Sequence, residues 1–222
     1  KQPEAYEKIW SAFGPVIKEG LYEDMERRDA LYEICRFRTT QSEGRQSVTL
    51  ADYVSRLKDN QTAIYYLTGE DVTKAEVSSL FDGYKARGVE VLLLTDPIDA
   101  FWARTSLGYN GKPFKSVTQG GADLEQIPLS DEGKDKPKAD DASTAGLLAA
   151  LKAALGDKVQ DVVKSTRLTT SAVCIVAGEQ GFDRTLEKYL ARQQGQTTIS
   201  APVLEVNAAH PLIVNLAMRQ AK

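Results

Sequence analysis

With two cysteines and one histidine among 222 residues, the chain has the material for neither a disulfide framework nor a four-ligand zinc site. Long apolar runs are also missing. The longest, Val89 to Thr95 (VEVLLLT), is too short to cross a bilayer, and no stretch has the charged start and cleavage site of a signal peptide. These absences lead us to expect a soluble cytoplasmic protein in a reducing compartment. One-sided charge is missing as well. Residues 143–222 hold 9 Lys/Arg and 6 Asp/Glu, which leaves 19 against 25 before them, so the front carries about −6 and the back +3. Neither half has the strongly basic face that phosphate contacts need, which argues against nucleic acid as a partner.

The chain does have enough apolar residues, 42%, for a folded core, and its length suits two domains better than one. Pro3 to Phe37 reads as two helices. Ile9, Phe13, Val16 and Ile17, then Leu31, Ile34 and Cys35, fall at helical spacing, and Gly14-Pro15 is expected to kink or end the first. Lys1 opens amid helix-like sequence without an initiator Met, so upstream sequence is expected to be missing. Thr49, with Asp52 three residues on, predicts a capping box and a short helix to about Leu57.

A strand at Ala63–Leu67, a helix over Thr73–Arg87 ending at Gly88 and a strand at Val89–Leu94 make a β-α-β unit with parallel strands. A helical stretch containing Phe101, Trp102 and Leu107 follows, then a short strand at Pro113–Val117. The expected fold of residues 1–127 is therefore a three-layer α/β/α segment with a short parallel sheet. Residues 128–142 (PLSDEGKDKPKADDA) read as a charged linker that cannot bury a core. Beyond it, a helix over Thr144–Leu155 stopped by Gly156, strands near Val159–Lys164, Ala172–Ala177 and Val203–Val206, a helix over about Glu179–Arg192 and another from Pro211 predict a small mixed α+β domain over 143–222.

No catalytic constellation emerges. His210 has no partner cysteine or histidine and reads as a residue at a helix start. Gly108 to Pro113 lacks phosphate-loop spacing and reads as a turn. Cys174 lies in an apolar strand pattern and reads as a core thiol. Acidic pairs such as Glu23-Asp24 read as solvated charge. The feature that stands out is the helix around Phe182, Leu186, Tyr189 and Leu190, whose apolar residues share one face. Such a face packs into its own domain or meets a partner.

Tyr53-Val54-Ser55-Arg56-Leu57-Lys58-Asp59-Asn60-Gln61, followed by Ile64-Tyr65-Tyr66-Leu67-Thr68-Gly69-Glu70, closely resembles the most recognisable stretch of the ninety-kilodalton heat-shock chaperones, in their bacterial form. Gly20 to Asp24, Arg36-Phe37, Glu90-Val91-Leu92, Asp96-Pro97-Ile98-Asp99, Gly111 to Phe114, Leu155 to Val159 and Ser165 to Leu168 support it in the same order. The resemblance implies that residues 1–127 are the later part of the middle domain and 143–222 the start of the C-terminal dimerisation domain. It implies that ATP and magnesium are held by an N-terminal domain absent from this sequence. The middle-domain Arg and Gln that assist hydrolysis would also lie upstream, so the chain itself is no ATPase and has no cofactor. The implied partners are non-native client proteins, the parent's own N-terminal domain and its dimer mate. The implied client-contact residues are Phe101, Trp102 and Arg104, with Phe182, Leu186, Tyr189 and Leu190 on the later helix. The competing reading is a small-molecule enzyme using the strand ends near Thr95-Asp96.

Overall fold

The computed structural model describes residues 3–69, 79–119, 122–130, 141–178, 187, 191 and 200–220. The chain divides into two units. One takes in Lys1–Lys58, Thr62–Glu76 and Glu90–Ser116; the other takes in Asp59–Gln61, Val77–Val89 and Val117–Lys222. Each is a mixture of helices and a small mixed sheet, which agrees with the α/β plus α+β class expected from the sequence.

In the first unit, α1 (Pro3–Glu23) and α2 (Arg28–Ile34) precede β1 (Arg38–Thr39), α3 (Leu50–Ser55), β2 (Ile64–Thr68), β3 (Leu92–Leu94), α5 (Asp99–Thr105) and β4 (Phe114–Ser116). The sheet order is β1-β3-β2-β4. As the β-α-β reading requires, β2 pairs parallel with β3, and it also pairs parallel with β4. The edge strand β1 pairs antiparallel with β3 and was not foreseen, because two residues are too few to show a period. Every residue of β2 is buried, so both of its faces are covered.

Helix α1 does not end at Gly14-Pro15. Gly14 is needed there for space: a Cβ would stand 2.9 Å from the Trp10 ring. The buried face of α1 also differs from the one expected. Ile9, Phe13 and Val16 are more than half exposed, at 51%, 59% and 61%, while Trp10, Lys18 and Leu21 go inside. The apolar period was read about one residue out of phase, because a buried lysine does not register as a core position. Likewise Leu107 lies beyond the end of α5 and is exposed.

The capping box at Thr49 forms as its sequence predicts. The hydroxyl accepts from the Asp52 amide at 3.0 Å, and the Asp52 carboxylate accepts from the Thr49 amide at 3.1 Å. The Gly108–Pro113 turn is a tight one, with Tyr109 and Lys112 exchanging backbone hydrogen bonds. Gly108 sits at φ +130°, where a Cβ would lie 2.3 Å from the Lys112 carbonyl, so only glycine fits.

The second unit holds a one-turn helix α4 (Asp82–Lys85), α6 (Asp141–Leu155), β5 (Asp161–Lys164), β6 (Val173–Val176), β7 (Val203–Val206) and α7 (Pro211–Gln220). Its sheet runs β5-β7-β6, with β5 parallel and β6 antiparallel to β7. One core gathers Leu147, Val159, Val162, Val206, Ile213 and Ala217 under α6 and α7. A second gathers Leu168, Cys174 and Val176. Gly156 stops α6 in a left-handed conformation, φ +53°. His210 stands at the start of α7, where its Nδ1 accepts from the Leu212 amide.

Candidate functional site

The first group of expected contact residues lies on α5, which is one and a half to two turns long. Adjacent residues of a helix point about 100° apart, so Phe101, Trp102 and Arg104 cannot all face one way. Trp102 is the one that turns inward. It is fully buried at 0% exposure, its ring meets Tyr32, Phe37 and Phe114, and its Nε1 donates to Asp99 Oδ1 at 2.7 Å. The expectation that it lies on a contact surface is corrected: it belongs to the core. Phe101 is half-buried and Arg104 exposed. The Phe101 ring meets the edge of Tyr22, from the end of α1, at 5.9 Å. Phe182, Leu186, Tyr189 and Leu190 lie outside the described residues.

What aims α5 is a buried charge cluster. Lys18 Nζ stands 2.8 Å from Asp96 Oδ2 and 3.0 Å from Asp99 Oδ2, and the Asp96 amide also donates to Asp99. Burial pulls the Lys18 ammonium down, but Asp99 and Asp96 outweigh it and the net shift is upward. The Asp-Pro-Ile-Asp segment thus fixes the loop before α5. Asp96 is engaged in this way, which disfavours a catalytic acid at the strand ends.

Arg28 ties the end of α1 to the end of α5. Its guanidinium donates to the Leu21 carbonyl at 2.7 Å and to the Thr105 carbonyl at 3.0 Å. Tyr22 and Met25, close by in the chain, are exposed at 41% and 67%. Neither was singled out from the sequence, although Tyr22 lies in the quoted Gly20–Asp24 string; the signal was its position off the buried face of α1.

The rest of the family-like string is structural. Tyr53 donates to the Glu90 carbonyl at 2.7 Å, and Arg56 grips the Glu90 carboxylate with two hydrogen bonds of 2.9 Å. In the second unit, the Ser165–Leu168 string supplies Arg167. Its Nε donates to Glu205 Oε2 at 2.8 Å and its Nη1 to the Val117 carbonyl at 2.9 Å. Ser165 donates to the same Glu205 oxygen at 2.9 Å. Gly83 packs on this node: a Cβ would come within 2.6 Å of the Arg167 carbonyl.

Asp82 sits in a nest of donors. Oδ2 accepts from the amides of Thr169, Thr170 and Ser171 at 3.0, 2.8 and 2.8 Å. Oδ1 accepts from the hydroxyls of Thr169 and Thr170 at 2.9 and 2.6 Å. Burial alone would raise this carboxyl, yet the hydrogen bonds from Ser171, Thr170 and Thr169 hold it at about 2. A carboxylate with a depressed native pKa adds stability above its unfolded value, and that stability is lost as pH falls through the native one. Asp82→Asn should therefore cost about 2 kcal/mol at neutral pH and flatten the acid limb of the unfolding profile between pH 4 and 2. Chemical denaturation at stepped pH checks this; an unchanged acid limb would show that the nest does not bind the charged form.

Both cysteines are buried and unpaired. Burial pushes the Cys35 thiol up to about 12 and Cys174 upward as well, which is the behaviour of inert core thiols. Among the described residues no cluster of His, Cys, Asp and Glu could hold a metal ion, and no helix is long and apolar enough to cross a membrane.

The family model described as Hsp90 protein matches residues 1–222. A chaperone protein HtpG of Nitrobacter hamburgensis is 52% identical over 217 residues, 98% of this chain and 34% of that protein. One of Rhodopseudomonas palustris is 52% identical over 224 residues, 100% of this chain and 35% of that protein. One of Azorhizobium caulinodans is 53% identical over 223 residues, 98% and 35% respectively. The chain spans about a third of the length of the curated relatives it matches.

Proposed function

The chain belongs to the Hsp90 family, and on that footing we propose that it is the client-contacting part of a cytoplasmic ATP-driven chaperone. Residues 1–127 are the later middle domain and 143–222 the start of the dimerisation domain. ATP and magnesium are bound elsewhere in the parent protein, and this part hydrolyses nothing. Closure of the parent homodimer moves the contact surface relative to the dimer mate, so that clients are held in one state and released in another.

The observation that carries this reading is the half-buried Phe101 ring on α5, met by an exposed Tyr22, while the neighbouring Trp102 turns into the core. An unfolded client offers scattered apolar side chains. A shallow aromatic surface on a rigid helix, in a polar frame that includes Arg104, suits weak and adaptable contact. The helix with Phe182, Leu186, Tyr189 and Leu190 supplies the second contact surface in this proposal. The small-molecule enzyme reading loses its best acid, since Asp96 is already engaged by Lys18.

The test is suppression of aggregation of a heat-unfolded model protein. Phe101→Asp, and separately Phe182→Asp with Leu186→Asp, should each weaken suppression several-fold while circular dichroism stays native. If the unmodified chain suppresses nothing, or if all variants suppress equally, client contact through these residues is refuted.

A further inference from the structure

Building on the client-contact reading, we infer that Tyr22, and not Phe101 alone, is the aromatic that meets the client, and that the surface around it selects apolar segments flanked by lysine or arginine. Tyr22 is 41% exposed, while Phe101, whose ring centroid lies 5.9 Å away, is half-buried. A chain approaching this end of α1 and α5 therefore touches the tyrosine first. Met25, 67% exposed, adds a flexible apolar side chain three residues on.

Acids outnumber bases along the segment that carries these two residues. Between Glu19 and Asp29 stand five acids and two arginines. Arg27 is paired with Asp24 at 2.7 Å, and Arg28 is buried, with its guanidinium turned to the Leu21 and Thr105 carbonyls. Glu19, Glu23, Glu26 and Asp29 are all exposed and outnumber the exposed bases Arg27 and Arg104. An exposed apolar pair on a predominantly acidic segment complements a chain that is apolar in its middle and basic at its ends. Solvent-exposed charge pairs act weakly and are screened by salt, so the selectivity is modest and vanishes at high ionic strength.

The experiment uses two fluorescein-labelled peptides with the same aliphatic-aromatic middle, one flanked by lysines and one by glutamates. Binding to the 222-residue chain is read by anisotropy. At low salt the lysine-flanked peptide should bind about fivefold tighter or better, and the difference should close at high salt. Tyr22→Ala should weaken both peptides, Tyr22→Phe should not, and Glu23→Gln with Glu26→Gln should erase the preference while leaving the glutamate-flanked peptide unweakened. If both peptides bind equally, or if Tyr22→Ala changes nothing while Phe101→Asp abolishes binding, this inference fails and client contact stands. If neither peptide binds, both fail together.

Discussion

Replacing Lys18 by methionine should lower the stability of the first unit by about 3–5 kcal/mol, a drop of roughly 10 °C or more in the melting temperature. The lysine side chain is 1% exposed and that of its partner Asp99 is 0% exposed. Removing the ammonium leaves a carboxylate in the core with, among the described residues, the Trp102 indole and the Asp96 amide as its remaining donors. Methionine fills much of the lysine stem's volume, so the loss is one of charge pairing and not of packing.

The pH dependence identifies the cause. Burial already pushes the Asp99 carboxyl up against the pull of Lys18, and without the lysine it rises further, so the folded variant holds a proton that the unfolded chain gives up above about pH 4. The native state then binds more protons than the unfolded one. Stability of Lys18→Met should fall as pH rises through that window and recover on acidification from pH 7 towards 5. Adding Asp99→Asn should restore part of the loss. A double variant no more stable than the single one, with no recovery at acid pH, would show that the lysine acts through shape.

The second large effect is expected at Arg167. Arg167→Met should cost about 3–5 kcal/mol, because the guanidinium is 1% exposed and neutralises Glu205, itself 9% exposed, while also satisfying the Val117 carbonyl. Burial pulls the arginine down but Glu205 outweighs it, so it stays charged. Pairing Arg167→Met with Glu205→Gln in a double-mutant cycle by urea denaturation should show coupling of about 1–3 kcal/mol. Additive losses would mean that the two side chains stabilise the unit independently.

Much of the local structure was legible from single positions. Thr49 with Asp52 wrote its own capping box, Gly156 its own helix stop, and β7 fell at Val203–Val206 as read. The parallel pairing of β2 and β3 followed from two buried apolar strands joined by a helical pattern. Less of the proposed contact site was legible. Phe101 and Trp102 are neighbours in the string and both aromatic; only the packing of Tyr32, Phe37 and Phe114 shows which of them is core. The phase of α1 was misread for a related reason, since Lys18 looks like a surface residue until Asp96 and Asp99, 78 and 81 positions away, close around it.

The sequence by itself determined the family, the fold class and the elements whose signals are local: caps, stops, turns and apolar strands. Those signals act between residues a few positions apart, where backbone geometry alone relates them. The tertiary structure alone decided which charges are buried, which aromatic is exposed and which family-like residues are structural. Each of these depends on groups far apart in the chain meeting in a low-dielectric interior, where an ion without its partner is costly and a ring's exposure is set by what packs against it.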